Sequence, residues 1–350
     1  MSDWFNLPIN TPDDDYQQQA RLVQSQLTKP QGSLGVLENI AIQISALQKT
    51  TQPNVSQAQI VIFAADHGIA QEGVSAFPQS VTAEMVRNFS SGGAAISVLA
   101  RQHKLALQII NLGLLSELEE LENVINYSVG EGTKNFLYHE AVSVSQFEQI
   151  SEFIKNRVDR LKNTGLQLII AGEMGIANTT SATALICALQ SLAPEQITGT
   201  GTGLDKTALA HKVTIISQAL NRHKTNLTQA VEILRILGGF EIIALCAMYL
   251  RCAQRGIVSV VDGFICTVAA LFAIHINAQC RDWLIFSHQS AETGHKIIMD
   301  LNDIEPLLDF NLRLGEASGA ALVYPLIHSA CLLQSQMASF DRAAVSKKNA

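Results

Sequence analysis

The chain has 350 residues, of which 47% are hydrophobic and 16% charged, and its formal net charge is −7. This composition predicts a well-packed globular protein and excludes an intrinsically disordered one. The negative charge, without any block of lysines or arginines, argues against nucleic acid and anionic membranes as main partners. Residues 1–4 contain no basic stretch followed by an apolar run, so we expect no secretory signal.

Neither the cysteines nor the longest apolar stretch places the chain outside the cytoplasm. The six cysteines include no Cys-x-x-Cys pair and most fall in apolar helical runs, so we expect reduced, buried thiols and no structural zinc. Residues 256–276 are long and apolar enough to suggest a membrane span. Asp262 and Gly263 interrupt them, and a strand over 257–261, a turn and a buried helix from Phe264 fit the segment better.

Taken in chain order, the sequence predicts two helices and then strands alternating with helices. Residues 4–50 have helical periodicity, with helices over 13–27 and 34–47 joined by the turn KPQGSLG. Short apolar runs predict buried strands over 59–65, 105–112, 166–170, 257–261 and 283–286. This order indicates an α/β protein with a parallel sheet.

The segment GLQLIIAGEMGIANTTSATALICALQ, residues 165–190, is the strongest functional candidate. We predict a strand over 166–170, a glycine turn over 171–175 that holds Glu173, and a helix from about Ala182 capped by one of residues 178–181. Such a turn and hydroxyl-rich helix start present N–H groups to an anion at the edge where α/β sheets bind ligands. The alternative is a tight loop that binds nothing.

The most glycine-dense stretch is residues 198–203. It is a candidate phosphate site, although it matches neither of the two common phosphate-binding sequence motifs. It does not match a dinucleotide fingerprint, because Leu204 occupies the position of the third glycine. It does not match a P-loop either, because Asp205 precedes Lys206 where a glycine is required. What remains is a run of backbone amides with Lys206 and Lys212 nearby, suited to one phosphate. A surface glycine loop is the alternative.

Polar residues at two further element ends have both a functional and a structural interpretation. Asp66 and His67 end the strand over 59–65, where enzymes place working groups, but an Asx turn with a satisfied histidine explains them equally well. Glu316 lies between a glycine and the start of a helix that reaches about Gln334. An acid in the first helical turn complements the helix dipole, which is the structural alternative.

Three residues near the end of the last predicted strand have the spacing of metal ligands. They are His288, Glu292 and His295. We do not expect a metal site, because Gly294 lies among them and Ser290 is predicted to be an N-cap that leaves His288 outside the helix. No complete ligand set with supporting residues is visible.

Eight segments in this order resemble the nicotinate-nucleotide–dimethylbenzimidazole phosphoribosyltransferase family. They are KPQGSLGVLE (29–38), AADHGIAQEGVSAFPQSVT (64–82), GGAAI (92–96), GEMGIANTTSA (172–182), LGGFEI (237–242), VDGF (261–264), SHQSAETGH (287–295) and LRLGEASGAAL (312–322). The series covers nearly the whole chain, and it is far more specific than any one segment.

The resemblance implies a fold and a reaction. The fold is a Rossmann-like parallel sheet flanked by helices, in a large domain over 51–319, with a small helical domain formed by residues 1–50 and 320–350. The reaction moves the 5-phosphoribosyl group of nicotinate mononucleotide to 5,6-dimethylbenzimidazole, with inversion at the anomeric carbon. The resemblance also implies a homodimer and requires neither a metal nor a cofactor.

The resemblance also assigns candidate residues position by position. Glu316 matches the catalytic base, and Glu173 matches an acid at the floor of the same site. The nucleotide is expected at Gly175, Asn178, Thr179, Gly199, Gly201, Gly203 and Lys212, and the base at Phe77, Pro78, Met85, Met174 and Leu314. The chain departs from some relatives at Phe77 and Met85, where they have a serine and a glutamine that touch the benzimidazole. The acceptor base is therefore open, and another benzimidazole, a purine or a phenolic base is the alternative.

The chemistry needs few groups, and the sequence offers candidates for each. A nicotinate ring leaves its ribose as a neutral molecule, whereas the incoming benzimidazole loses a proton, so one carboxylate base, an anion site and a flat apolar slot suffice. A dinucleotide-dependent oxidoreductase would need a complete glycine fingerprint early in the chain, which is absent. A nucleotide-sensing or carrier module, which binds a mononucleotide without turnover, remains the non-enzymatic alternative.

Overall fold

In the computed structural model, which describes residues 3–201 and 203–346, six parallel strands form one sheet. The strands are β1 Ala58–Ala65, β2 Ala106–Gly113, β3 Val124–Asn126, β4 Leu168–Met174, β5 Val258–Val261 and β6 Leu284–Phe286. Their order is β3-β2-β1-β4-β5-β6, which is the Rossmann-type order with its switch point between β1 and β4. The predicted fold class is confirmed.

Helices cover the sheet, and helices also form the segments near both ends of the described chain. They are α1 Asp14–Gln26, α2 Val36–Gln48, α3 Ser80–Ser91, α4 Ala95–His103, α5 Val144–Asn163, α6 Asn178–Gln190, α7 Pro194–Ile197, α8 Lys206–His223, α9 Ala230–Leu237, α10 Phe240–Arg255, α11 Phe264–Ile276, α12 Thr293–Leu301, α13 Ser318–Gln336 and α14 Phe340–Ala343. Short 3₁₀ turns occur at Asp3–Asn6, Gly68–Glu72 and Ala278–Trp283. The central strands are fully buried because α10 and α11 pack against β4 and β5, while α3 and α4 contact β2.

The apolar stretch over 256–276 folds as the sequence predicts. It forms β5, a break at Asp262 and Gly263, and then α11, whose residues from Phe264 to Ala273 are buried. Branched side chains favour the buried strand, and the continuously apolar helix is buried on all faces. Within the described ranges, no helix combines the length and the apolar character that crossing a bilayer requires.

Three short strands were not predicted from the sequence. β3 has three partly exposed residues at the edge of the sheet, within a polar segment. The other two, β7 His288–Ser290 and β8 Leu308–Leu312, pair in parallel as a separate two-stranded sheet. The prediction that 283–286 is the last strand is therefore wrong. β3 and β8 are short and partly exposed, and β7 consists of three polar residues, so none of them has enough apolar periodicity to detect.

The two chain ends meet through α2, which packs against both α1 and α13. The Gln334 side chain in α13 hydrogen-bonds to Gln24 at 3.0 Å and to Ser45 at 2.7 Å. The helix α13 begins before the predicted domain boundary at 320 and also packs on β4 and β5. The division into domains stays a prediction, and residues 1–2 and 347–350 lie outside the described ranges.

Candidate active site

A cavity of about 360 Å³ opens at the carboxyl edge of the sheet, beside the switch point and the β7–β8 pair. Eleven of the candidate residues line it, namely Phe77, Met85, Glu173, Met174, Gly175, Asn178, Thr179, Gly201, Lys212, Leu314 and Glu316. Pro78, Gly199 and Gly203 are not among the lining residues. The cavity thus gathers residues from segments that are far apart in the sequence.

Glu173 lies within the regular part of β4 and not in a glycine turn, so that prediction is wrong. The strand continues to Met174, because Gly172 lets β4 lie against the start of α13. A Cβ on Gly172 would lie 2.5 Å from the backbone nitrogen of Ala317. Gly172 therefore permits close packing between two segments, and the strand remains regular.

Burial makes the Glu173 carboxyl a weak acid. The side chain is almost fully buried, and Asn178 Nδ2 donates a hydrogen bond to its Oε2. Burial, the most important cause, and the nearby carboxyls of Glu241, Asp262 and Glu316 raise the pKa of Glu173 to about 8, against the effect of the Asn178 bond. At neutral pH, Glu173 is therefore mostly protonated.

The polar residues at the start of α6 do not cap the helix, contrary to the prediction. The helix begins at Asn178, and the N-cap is Ala177, which has a left-handed conformation and no side-chain cap. The side chains that were expected to cap are thus available for other partners. Thr179 accepts a hydrogen bond from Lys212, and Ser181 donates one to the Leu237 carbonyl.

Glu316 sits on a strained turn that precedes α13. Gly315, Glu316 and Ala317 have φ angles of 79°, 62° and 61°, so three consecutive residues are left-handed. For residues other than glycine this conformation costs about 1–2 kcal/mol each, and the surrounding structure must hold it. The helix begins at Ser318, so Glu316 is not in its first turn as the dipole interpretation required.

Burial also weakens the acidity of Glu316. Its side chain is mostly buried, and burial together with the Asp262 carboxyl raises its pKa to about 7. A carboxyl with this pKa is partly ionised at neutral pH and can both accept and release a proton, as a general base requires. The Oε1 atom of Glu173 lies so close to Gly315 that a Cβ there would be 2.7 Å away.

One part of the cavity wall contains Lys212, which is 1% exposed. Its Nζ donates a hydrogen bond to Thr179 Oγ1 at 2.8 Å, and a Cβ on Gly201 would lie 3.1 Å from that oxygen and 3.5 Å from Nζ. Burial lowers the pKa of Lys212 to about 8, against the opposing effect of the Glu292 carboxylate. A buried amine with room beside it is suited to an anionic group.

The glycine run has more than one role. A Cβ on Gly199 would lie 1.9 Å from Glu292 Oε2, so Gly199 makes room for that carboxylate. Gly203 faces open space, and Thr202 lies outside the described residues. Asp205 caps α8 by accepting a hydrogen bond from the Ala208 N–H at 2.9 Å, which explains the acid before Lys206.

Another part of the cavity wall is apolar and partly exposed. Phe77 and Leu314 are 50% and 56% exposed, while Met85 and Met174 are half-buried. Pro78 lies outside this wall, and its carbonyl accepts the Val81 N–H at the start of α3. A wall with two methionines can adapt to different aromatic rings.

Asp66 and His67 do not line the cavity, and they do not form the expected Asx turn with a satisfied histidine either, because Asp66 bonds to the distant Leu115 and His67 Nδ1 has no hydrogen-bond partner among the described residues. His67 Nε2 lies 2.6 Å from Glu241 Oε1, and both side chains are fully buried. Asp66 Oδ2 accepts the Leu115 N–H at 2.9 Å. His67 lies beneath Gly175, where a Cβ would be 3.2 Å from the ring, so the pair supports the cavity from behind.

The segment that contains His288 and His295 contributes one histidine to the cavity and the other to the core. His288 lines the cavity, whereas His295 is buried with both ring nitrogens hydrogen-bonded, to the Ser290 N–H at 2.7 Å and to Thr267 Oγ1 at 2.9 Å. Burial, with a smaller contribution from His288, lowers the pKa of His295 to about 3. Ser290 belongs to β7 and not to a helix cap, because α12 begins at Thr293 with Glu292 as N-cap.

Six polar residues of the wall were not assigned to the site from the sequence. They are Ser75, Thr200, His288, Ser290, Glu292 and Arg313. Thr200 lies in the glycine run and Arg313 next to Leu314, so proximity to assigned residues was the available signal for these two. No sequence pattern indicates that Glu292 and Lys212 line the same cavity.

The sheet order and the cavity at its switch point define a nucleotide-binding α/β enzyme. Residues 9–345 match the family described as Phosphoribosyltransferase. Nicotinate-nucleotide–dimethylbenzimidazole phosphoribosyltransferases of Pseudomonas putida (strain GB-1) and Pseudomonas fluorescens (strain SBW25) are 47% and 48% identical to the chain, each over 99% of both sequences. A crystal structure of that enzyme from Thermus thermophilus is 37% identical, with a TM-score of 0.89, over 96% of this chain and 100% of the other. The chain belongs to this phosphoribosyltransferase family.

Proposed function

We propose that the chain transfers the 5-phosphoribosyl group of nicotinate mononucleotide to 5,6-dimethylbenzimidazole, giving α-ribazole 5-phosphate and nicotinate for the nucleotide loop of cobalamin. Full-length relatives with this name support the proposal. The observation that carries it is the cavity itself. One wall holds two carboxyls, Glu173 and Glu316, and another holds the buried amine of Lys212.

The reaction balances without a metal or an external acid. The bond between the anomeric carbon and the nicotinate nitrogen breaks, and its electron pair neutralises the pyridinium ring. One benzimidazole nitrogen forms the new bond on the opposite face of the ribose, which inverts the anomeric configuration. The proton on the other benzimidazole nitrogen moves to Glu316, whose pKa of about 7 suits it to this step.

Charge complementarity supports the binding of the nucleotide. Nicotinate mononucleotide has two anionic groups, the phosphate and the ring carboxylate, and two cationic side chains, Lys212 and Arg313, line the cavity. We assign the phosphate to Lys212, Thr179 and the Gly199–Gly203 amides, of which Gly201 lies nearest. Gly175 and Asn178 belong to the same part of the wall and complete this assignment.

Glu173 is assigned to the floor of the site. With a pKa of about 8 it is mostly neutral at physiological pH, so it does not add a second full negative charge next to Glu316. The Asn178 hydrogen bond fixes its orientation.

The acceptor base is proposed to bind between Phe77, Met85, Met174 and Leu314 near Pro78. Because Phe77 and Met85 provide no hydrogen-bonding side-chain oxygen or nitrogen, other benzimidazoles, purines or phenolic bases are the second candidates as acceptors. Their apolar surface favours a flat aromatic ring over a sugar or an amino acid.

We further propose a cytoplasmic homodimer. The six cysteines are buried free thiols, as expected in a reducing compartment. Exposed apolar side chains on α13, among them Leu322 and Leu326, are candidates for a subunit interface. Light scattering after size exclusion measures the subunit number, and a monomer at micromolar concentration would contradict the dimer.

The test of the proposed function is incubation with nicotinate mononucleotide and 5,6-dimethylbenzimidazole, read by mass spectrometry and proton NMR. We expect α-ribazole 5-phosphate and an equal amount of nicotinate. Binding of the nucleotide without product would favour a sensing or carrier module. Product formed only with other bases would support the alternative acceptors, and turnover only with a nicotinamide dinucleotide and a reductant would indicate an oxidoreductase.

A further inference from the structure

Asp262, at the carboxyl end of β5, is a buried acid with an incomplete set of hydrogen bonds. The side chain is 1% exposed. Its Oδ1 accepts the Ala320 N–H at 2.9 Å, whereas Oδ2 has no hydrogen-bond partner within the described ranges. A buried carboxyl oxygen without a partner is unfavourable for folding, so its presence calls for a functional reason.

The bond to Ala320 holds the start of α13, directly after the base. Ala320 is in the first turn of α13, and Glu316 precedes that turn in the left-handed conformation. His288 supports the same turn from the other side. A Cβ on Gly319 would lie 2.2 Å from the His288 ring, whose Nδ1 is 3.8 Å from Asp262 Oδ1.

Asp262 also contributes to the electrostatics around Glu316. Besides burial, the carboxyl of Asp262 raises the pKa of Glu316, because a like charge disfavours ionisation. The other charged or titratable groups around Glu316 are Glu173 on β4, His288 on β7, Arg313 on its own turn, Lys212 on α8 and Glu292 at the start of α12. Asp262 is the one among them that also binds the backbone of α13.

We propose that Asp262 is a positioning residue for the general base: its Oδ1 fixes the turn that carries Glu316, and its carboxyl group is part of the electrostatic surroundings of that base. The inference rests on the proposed function, since it needs Glu316 to accept the benzimidazole proton. Geometry and charge make separate contributions, and two substitutions separate them.

Asp262→Asn keeps an oxygen for the Ala320 N–H and removes the charge. We expect the acidic limb of the profile of kcat against pH to move to lower pH by about one unit. The Michaelis constant for the nucleotide should change by less than about twofold, because Asp262 does not line the cavity. Asp262→Glu keeps the charge but displaces the oxygen. Its limb should stay in place while kcat falls about ten- to hundred-fold.

The Glu316→Gln background provides the coupling control. In this variant, the profile of kcat against pH lacks the acidic limb that Glu316 causes. Adding Asp262→Asn should therefore not change the pH dependence of the residual rate. Thermal unfolding of each variant verifies that it is folded at the assay temperature. If Asp262→Asn does not fold, the prediction for Asp262→Glu decides alone.

The outcomes separate this inference from the proposed function. Two outcomes would overturn the positioning role alone, provided that the wild type turns over its substrates. In the first, the acidic limb of the kcat–pH profile does not move in Asp262→Asn. In the second, this limb also moves in Asp262→Glu. A limb that shifts equally in the Glu316→Gln background would overturn it too, since the effect would not pass through Glu316. A wild-type chain that makes no product would overturn the proposed function and this inference together.

Discussion

Gly172 and Ala317 touch through their backbones, with no room for a Cβ on Gly172, which would lie 2.5 Å from the Ala317 nitrogen. This contact joins β4, which carries Glu173, to the turn that carries Glu316. The relative position of the two carboxyls therefore depends on a glycine, which has no Cβ, at position 172 within the strand.

Gly172→Ala should lower kcat by about a hundredfold, because the turn at Glu316 must shift to make room and small misplacements have large effects on rate. Steady-state kinetics and thermal unfolding measure this. Gly165→Ala is the matched control. Gly165 precedes the same strand and has a φ of 85° with nothing within 4 Å of its Cβ position. It should lose about 1 kcal/mol of stability but keep its kcat. Normal activity in Gly172→Ala would show that the contact is not needed.

Glu316→Gln should reduce kcat by about 10²–10⁴, because glutamine cannot accept the benzimidazole proton. The nucleotide affinity should change little, and the rise of kcat with pH through about 7 should vanish. Glu173→Gln is measured beside it, since Glu173 is the other acid of the cavity. If Glu316→Gln kept more than about a tenth of kcat while Glu173→Gln lost nearly all of it, the two roles would be exchanged.

Glu173 should make the folded protein less stable as the pH rises. Its pKa is about 8 in the folded state and near 4.5 when unfolded, so between these values the folded state binds one more proton. The free energy of unfolding therefore falls as pH increases over that window. Glu173→Gln mimics the protonated form. It should match wild type near pH 5 and unfold at a higher temperature near pH 8, as calorimetry measures. An identical difference at both pH values would contradict the raised pKa.

Lys212→Ala should raise the Michaelis constant for nicotinate mononucleotide by roughly ten- to hundredfold, since charge-assisted hydrogen bonds contribute about 1.5–3 kcal/mol. In wild type the same constant should rise above about pH 8, where the Lys212 amine loses its proton. Lys206→Ala is the control, because Lys206 is exposed at the start of the same helix. An unchanged constant in Lys212→Ala would remove Lys212 from the phosphate site.

The apolar wall at Phe77 and Met85 should make the enzyme tolerant towards the acceptor. Two methyl groups in an apolar pocket contribute about 1–3 kcal/mol each, so unsubstituted benzimidazole should remain a substrate. Competition between the two bases, followed by mass spectrometry, measures the preference. A preference for 5,6-dimethylbenzimidazole above about 10⁵-fold, which is more than two methyl groups account for, would contradict this prediction. Phe77→Ser with Met85→Gln restores polar groups, and it should narrow the range of bases.

Much of the fold could be predicted from the chain, because the periodicity of apolar residues is a local signal. The buried strands at β1, β2, β4 and β5 and the break at Asp262 are examples. The error at Glu173 shows the limit. Gly172 suggested a turn, but its partner is Ala317, which is distant in sequence, so only the folded chain shows why a glycine stands there.

The candidate site was predictable where residues form a motif and less so where they only meet in space. Glu316 and Glu173 belong to recognisable segments, Lys212 follows the glycine-dense stretch, and all three line the cavity. Glu292 and Arg313 also line it, but nothing local distinguishes them from surface charges. The residues at the start of α6 were predicted to cap the helix because Asn, Thr and Ser are frequent N-cap residues. In the structure the N-cap is Ala177, which has a left-handed conformation and makes no side-chain cap.

The order in which the cavity residues occur along the chain has a consequence for protein synthesis. Thr179 and Lys212 leave the ribosome well before Glu316 does. The helix α2 packs against α13, which follows Glu316 in the sequence. A nascent chain that stops before residue 316 therefore lacks both Glu316 and a packing partner of α2. Such incomplete chains expose an apolar face of α2 to the proteases that degrade incompletely folded proteins.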